Sequence, residues 1–298
     1  MQRFIVKETE VDMRLDNFLT LKSELSRNKI QELIKNNYVT INGKTEKSSY
    51  KIKNNDVITL EYIEEKTNLV PEKIDLNIVY EDKDILVINK PNGMVVHPAP
   101  GNYNHTLANA LSYYSSSLSD LNGEFRPGIV HRIDAYTTGL LVIAKNNKAH
   151  ELLALEIAKK EVKRTYEALV WGIIKEDTGT IDAPIGRDPK DRKKMAVVAN
   201  GKPAITHFKV LERYNNATLL EISLETGRTH QIRVHMNYIN HPIINDPTYG
   251  NRTLIDESGQ VLHAKELELV HPITKEKMIF KAELPAEFIN ILNKFKEE

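Results

Sequence analysis

Gly128-Ile129-Val130-His131-Arg132-Ile133-Asp134-Ala135-Tyr136-Thr137-Thr138-Gly139-Leu140-Leu141-Val142-Ile143-Ala144-Lys145 sets a polar interior between two apolar, β-branched flanks. The flanks read as two strands and the interior as the loop they hold. In that loop one carboxylate, Asp134, sits beside two potential cations, His131 and Arg132. A loop aspartate ordinarily caps nearby N–H groups, here those of Thr137 and Thr138, or pairs with a neighbouring arginine. Taken alone, the stretch favours that structural reading; the remainder of the chain changes the weighting.

The 298 residues suffice for one large domain, or for one large and one small domain. At 41% hydrophobic and 28% charged the composition is ordinary for a globular protein. Zero cysteines removes disulfides, thiolate metal sites and cysteine nucleophiles, and fits a reducing compartment. Met1 to Glu8 contains no apolar run of signal-peptide length, and no stretch approaches a membrane helix. A cytoplasmic protein with no membrane association is expected. Formal net charge is zero, so bulk charge gives no sign of a polyanionic partner, but the distribution does. Arg14 to Lys53 holds nine Lys or Arg against four acids, and Arg187 to Lys202 holds six against two. Two basic patches on a neutral chain suit a polyanion gripped at particular places.

Residues 1–66 read as a module of their own, 67–77 as a charged linker, and 78–298 as a second, larger domain. In the first, Leu15, Phe18 and Leu19 recur at helical spacing. A second helix, capped by Ser26, turns Ile30, Leu33 and Ile34 inward. Asn42-Gly43 behind Tyr38 to Ile41 is a hairpin signal. In the second, strands are expected at Ile78 to Tyr80, Asp84 to Lys90, Gly93 to His97, Lys163 to Val170, Ala204 to Glu212 and Thr218 to Glu225. Helices are expected at Thr106 to Tyr114 and Lys148 to Lys160. Period two puts Tyr166 on one face with Ala168 and Val170. In Thr226-Gly227-Arg228-Thr229-His230-Gln231-Ile232-Arg233, Thr229 is placed to cap a helix. That helix turns His230 and Arg233 one way and Ile232 and Met236 the other.

Four blocks therefore stand in order: INKPNGMVVHP, HRIDAYTTGLLVIAK, KRTYEALVWG and TGRTHQIRVHM. Together they resemble the RluA/RluD class of pseudouridine synthases, over essentially the whole chain. The helix pair with its basic edge and VTING turn resembles the S4 RNA-binding domain. The resemblance implies an α+β fold, with a mixed, largely antiparallel sheet behind a small S4-like module. It implies Asp134 as the catalytic aspartate, Tyr166 as the tyrosine beside the uracil and Arg233 as the partner of the aspartate. His131, Arg132, Arg228 and His230 would line the substrate site. Arg14, Arg27, Lys29 and Lys35 of the module, with Arg192, Lys193 and Lys194 of the second patch, would contact RNA. Ala135-Tyr136 departs from the family pattern, which has a charged pair there.

Pseudouridine formation breaks the N1–C1′ bond, turns the uracil and rejoins it through C5, so no cofactor and no metal are expected. A carboxylate can attack C1′ or uracil C6 and hold the intermediate, and an adjacent guanidinium favours its charged form. The base must leave its stack, at a cost of roughly a few kcal/mol. The expected partner is structured RNA, ribosomal RNA of the large subunit first, with the protein acting as a monomer. Three rivals stand beside this reading. They are a phosphohydrolase built on Asp134, a metal site of His230, His235, His241 and Asp246, and an RNA-binding ribosome-assembly factor with impaired catalysis.

Overall fold

Asn42 and Gly43 carry φ of 50° and 79°, and Ile41 and Lys44 exchange both backbone hydrogen bonds across them, as a two-residue turn of this kind requires. This turn belongs to the first of two compact units into which the chain divides, Met1–Thr67 and Asn68–Glu298, in a computed structural model. The structure describes residues 1–23, 25–61, 69–99, 101–115, 117–123, 125–191, 193–250 and 254–296.

The first unit contains β1 (Gln2–Ile5), α1 (Leu15–Lys22), α2 (Arg27–Lys35), β2 (Val39–Ile41) and β3 (Val57–Leu60). Its antiparallel sheet has the order β1-β3-β2. The strand that pairs with β2 is thus β3, and the Asn-Gly turn leads into a loop between them. Ser26 Oγ accepts from Lys29 N at the start of α2. Ile30, Leu33 and Ile34 meet Leu15, Phe18 and Leu19 in one closed cluster.

The second unit runs β4 (Ile78–Glu81), β5 (Ile85–Lys90), α3 (Leu107–Tyr114), β6 (Thr138–Ala144), α4 (Asn147–Ala158), β7 (Lys163–Trp171), β8 (Thr178–Asp182), β9 (Ile185–Arg187), β10 (Met195–Val197), β11 (Ile205–Arg213), β12 (Ala217–Leu224), α5 (Gln231–Tyr238), β13 (Leu262–Val270), β14 (Lys277–Lys281) and α6 (Ala286–Lys296). One sheet has the order β4-β5-β6-β13-β7-β12-β11-β8, with β14 also on β13. The β6–β13 pair is parallel and the other pairs are antiparallel. β9 and β10 form a separate hairpin. Helices cover both faces: Leu86 and Ile88 pack with α3 and α5, and Ile85 and Val87 with α4. That double cover explains why β5 and β6 are apolar at successive positions instead of alternating. Of the segment read as linker, Leu69 and Leu76 pack on this core and Val70 O accepts from Asn109 Nδ2. Among the described residues no helix is long and apolar enough to cross a membrane.

Four local expectations are corrected. Of the two flanks around Asp134, only the second is a strand, β6; residues 128–137 form an irregular segment laid along it. Ala144 N donates to Gly128 O, but Val142 N donates to the imidazole Nε2 of His131. A side chain thus takes the place of a ladder carbonyl, which frees the backbone to turn toward Asp134. Gly93 to His97 forms no strand: a turn at Asn92-Gly93, with Gly93 at φ 75°, runs into an irregular segment. Ile78 and Val79 begin no core; they lie exposed on an edge strand. The N-cap of α5 is His230, not Thr229, and it makes no side-chain cap bond. Gly139, at φ 110°, is required: a Cβ there would lie 2.3 Å from Ala264 O on β13.

Candidate active site

A cleft of about 420 Å³ opens over the middle of the large sheet. The 130–137 segment, the end of α4, Arg164 and Tyr166 on β7, the loop after β12 and the first turn of α5 form its walls. Asp134, Tyr166, Arg233, His131, Arg132, Arg228 and His230 all line it, and Asp134 and Arg233 alone stand 99 residues apart in sequence. Sheet register accounts for part of this convergence: Tyr166 lies between Ile222 on β12 and Ala264 on β13.

At its centre Arg233 Nη1 donates to Asp134 Oδ2 at 3.0 Å. The same guanidinium grips Asp246 with two further bonds, Nε to Oδ2 at 2.7 Å and Nη2 to Oδ1 at 2.8 Å. Asp246 is fully buried and its Oδ1 also accepts the backbone N–H groups of Thr248 and Tyr249. Burial opposes the charge on Arg233, but the hydrogen bonds and charge of Asp246, with the charge of Asp134, raise its pKa above the arginine norm. The planar fork is thus locked by one carboxylate and offers its remaining edge to the other.

His230 stands on the other side of Asp134, its Nε2 3.9 Å from Oδ1. Its backbone is left-handed, φ 56° and ψ 21°, a strained state for a residue other than glycine. Tyr249 orients the ring: its hydroxyl oxygen accepts from Met195 N at 2.9 Å and hydrogen-bonds His230 Nδ1 at 2.8 Å, which leaves Nε2 toward the carboxylate. Burial, only partly offset by Asp134, holds His230 below the usual histidine pKa. Burial also raises Tyr166 above the usual phenol value, so its ring enters the cleft as a neutral apolar face.

Lys90 holds the loop from beneath. Its side chain is fully buried, and Nζ donates to Pro91 O and Ala135 O at 2.7 Å each. Burial lowers its pKa to about 7 against the pull of Asp134; a neutral amine has the two N–H groups that these carbonyls need. The lysine reaches the backbone of residue 135, so the loop is anchored whichever side chain stands there, and the Ala135-Tyr136 departure leaves that anchor intact. Tyr136 itself lies against Gly259, where a Cβ would come 2.4 Å from its ring.

Arg132 is exposed, and its Nη1 hydrogen-bonds His97 Nε2 at 3.2 Å. Arg228 donates to Pro203 O. The module residues belong to the other unit: Arg14 and Arg27 both bind the buried Asp16, their side chains 37% and 52% exposed. Hydrogen bonds from Arg14 foremost hold Asp16 far below the usual carboxylate range. Lys29 pairs with Glu32, and Lys35 is exposed. Lys193 is exposed and Lys194 half-buried, while Arg192 lies outside the described residues. The metal set weighed from the sequence does not gather within ligating distance. His235 bonds Thr206 Oγ1 and Ala183 O, His241 bonds Trp171 O, and Asp246 serves Arg233. Two residues that build the site stand outside the set the resemblance implies: Lys90, not singled out, and Asp246, weighed only as a metal ligand. A lysine ending the apolar run of β5 was the signal for the first; nothing local marks the pairing of the second with Arg233.

Burial brings His131 to about 3, with Arg164 adding to the effect, and His97 and His263 each to about 4. Unfolded, each takes a proton near 6.5. Their contribution to stability is therefore complete above that pH and is lost as pH falls from 6.5 toward 4. Urea midpoints should fall over this window by the equivalent of roughly a few kcal/mol. A midpoint unchanged down to about pH 4.5 would show that these imidazoles are solvated.

The RNA pseudouridylate synthase family profile matches residues 84–238, and that of the S4 domain residues 13–58. The chain is 49% identical to the uncharacterized RNA pseudouridine synthase YlyB of Bacillus subtilis, covering 97% of this chain and 96% of that one. It is 42% identical to ribosomal large subunit pseudouridine synthase D of Pasteurella multocida, covering 98% and 94%. Among solved structures, human RNA pseudouridylate synthase domain containing 1 superimposes with a TM-score of 0.59 at 25% identity, over 75% of this chain and 96% of that one. With Asp134, Tyr166 and Arg233 of the cleft inside the matched region and relatives aligned over nearly its full length, the chain belongs to the RNA pseudouridylate synthase family, behind an S4 domain.

Proposed function

We propose that this synthase isomerises uridine in structured RNA, with large-subunit ribosomal RNA as its substrate and Asp134 as its nucleophile. The observation that carries the reading is the Asp246–Arg233–Asp134 chain, which presents one carboxylate to a cleft walled by Tyr166. Arg233 occupies Oδ2 of Asp134 and leaves Oδ1 for bond formation at the sugar or the uracil. The base reaches it by leaving its stack, and Tyr166 receives the extruded ring face. Arg132, exposed at the rim, enters the vacated stack while the basic residues hold the backbone. The ribosomal assignment draws on the names of the full-length relatives and on the S4 domain.

The test is tritium release from ribosomal RNA labelled at uridine C5, taken from cells lacking this protein. Joining C1′ to C5 expels that hydrogen, so the assay reads the reaction itself. Release is expected with large-subunit RNA and should persist in EDTA, since isomerisation needs no external group donor or electron acceptor. Release from transfer RNA alone would move the substrate; no release from either, with tight binding retained, would favour an RNA-binding assembly role.

A further inference from the structure

Arg164 takes no part in the contacts described above, yet it lines the same cleft, one strand period before Tyr166 on β7. The two acids of the cleft lining are already engaged. Asp134 is held by Arg233, while Glu225 accepts from Lys160 at 3.0 Å and faces His207 Nε2 at 2.9 Å. Among the described residues Arg164 has neither an ion pair nor a side-chain hydrogen bond, and its Nε is shielded from solvent without a partner. The other arginines of the cleft differ: Arg132 and Arg228 each donate to a protein acceptor, and Arg233 is bound by two carboxylates.

Gly227 explains what the guanidinium faces. A Cβ at this position would lie 3.5 Å from Nη1 and 3.7 Å from Nη2, at ordinary contact distance, so a longer side chain would compete for the space beside those two nitrogens. Glycine leaves their edge open on the cleft side. A half-buried guanidinium without a counter-ion is costly, and the cost is met when an anion arrives with the ligand. Uracil and ribose are uncharged; the anionic part of a nucleotide is its phosphodiester, whose oxygens match the paired Nη1 and Nη2 donors.

We propose that Arg164 binds a backbone phosphate flanking the target uridine, through the opening that Gly227 leaves, and so sets the depth at which the nucleotide sits against Asp134 and Tyr166. Arg164 is a positioning residue and touches no reacting atom. The inference rests on the RNA-substrate reading above. Burial first, and then the Arg164 charge, hold the neighbouring His131 uncharged.

The experiment compares wild type with Arg164→Gln and Arg164→Lys. Binding of deproteinised large-subunit ribosomal RNA is measured across a salt series, and KM and kcat by tritium release. Loss of one phosphate contact should make the slope of log K against log salt shallower by about 0.7 to 0.9 in Arg164→Gln. KM should rise about tenfold with kcat changed less than about twofold, because the contact is made equally before and during the reaction. Arg164→Lys keeps the charge, so it should retain the wild-type slope and recover part of KM. An unchanged slope in Arg164→Gln, or a fall in kcat with KM preserved, overturns the proposal. So does a glutamine variant that fails to fold, since removing an unpaired charge should not unfold the chain. If wild type releases no tritium from this RNA but the slopes differ as expected, the ribosomal reading falls and the phosphate contact stands.

Discussion

Asp134→Asn is expected to release no tritium from C5-labelled ribosomal RNA, a loss of at least about 10⁴-fold, while binding that RNA within about twofold of wild type. The substitution keeps shape and an amide oxygen for Arg233 Nη1, now 3.0 Å from Asp134 Oδ2, and removes only charge and nucleophilicity. Arg233 retains its two bonds to Asp246, so no buried cation is left without a carboxylate. Fold and RNA affinity therefore provide an internal control. Turnover persisting in this variant would mean that another group attacks the nucleotide.

Asp246→Leu should act more broadly, although Asp246 is fully buried beneath Arg233. Its carboxylate accepts two bonds from Arg233 and two from the 248–249 backbone. Truncating a partner that neutralises a buried arginine costs about 3–5 kcal/mol, which should appear as a lower urea midpoint. The guanidinium, freed from its lock, will swing toward Asp134 and cover both its oxygens, so kcat should fall by roughly 10²-fold or more. Asp246→Glu keeps the charge at a displaced position and should recover stability ahead of kcat. A leucine variant as stable and active as wild type would show that Asp134 alone suffices to hold Arg233.

The α+β class, the S4 domain and the synthase family were legible because their signals are local. Asn-Gly turns the chain through residue types that tolerate positive φ. Ser26 caps α2 through its own hydroxyl, and β7 exposes its period directly. The flank before His131 was misread as a strand because apolar β-branched residues signal burial, which Ile129 has, whatever the backbone does. The competing effect, an imidazole accepting a ladder N–H, joins residues 131 and 142 through a side chain and leaves no pattern in composition. Thr229 failed as a cap for a related reason: Tyr249, twenty residues on, holds His230 in the left-handed turn that starts α5.

The sequence by itself determined many of the strands and helices, the α+β class and which family the motifs resemble, since periodicity, turn chemistry and motif order lie within short windows. Only the tertiary structure decided that Asp134, Arg233 and Asp246 form one chain of charge, that Lys90 anchors the loop through a carbonyl, and that among the described residues Arg164 stands unpaired beside Gly227. Each of these depends on distances between residues far apart in sequence, and whether a charge is satisfied is a property of three-dimensional neighbours, which residue order does not encode locally.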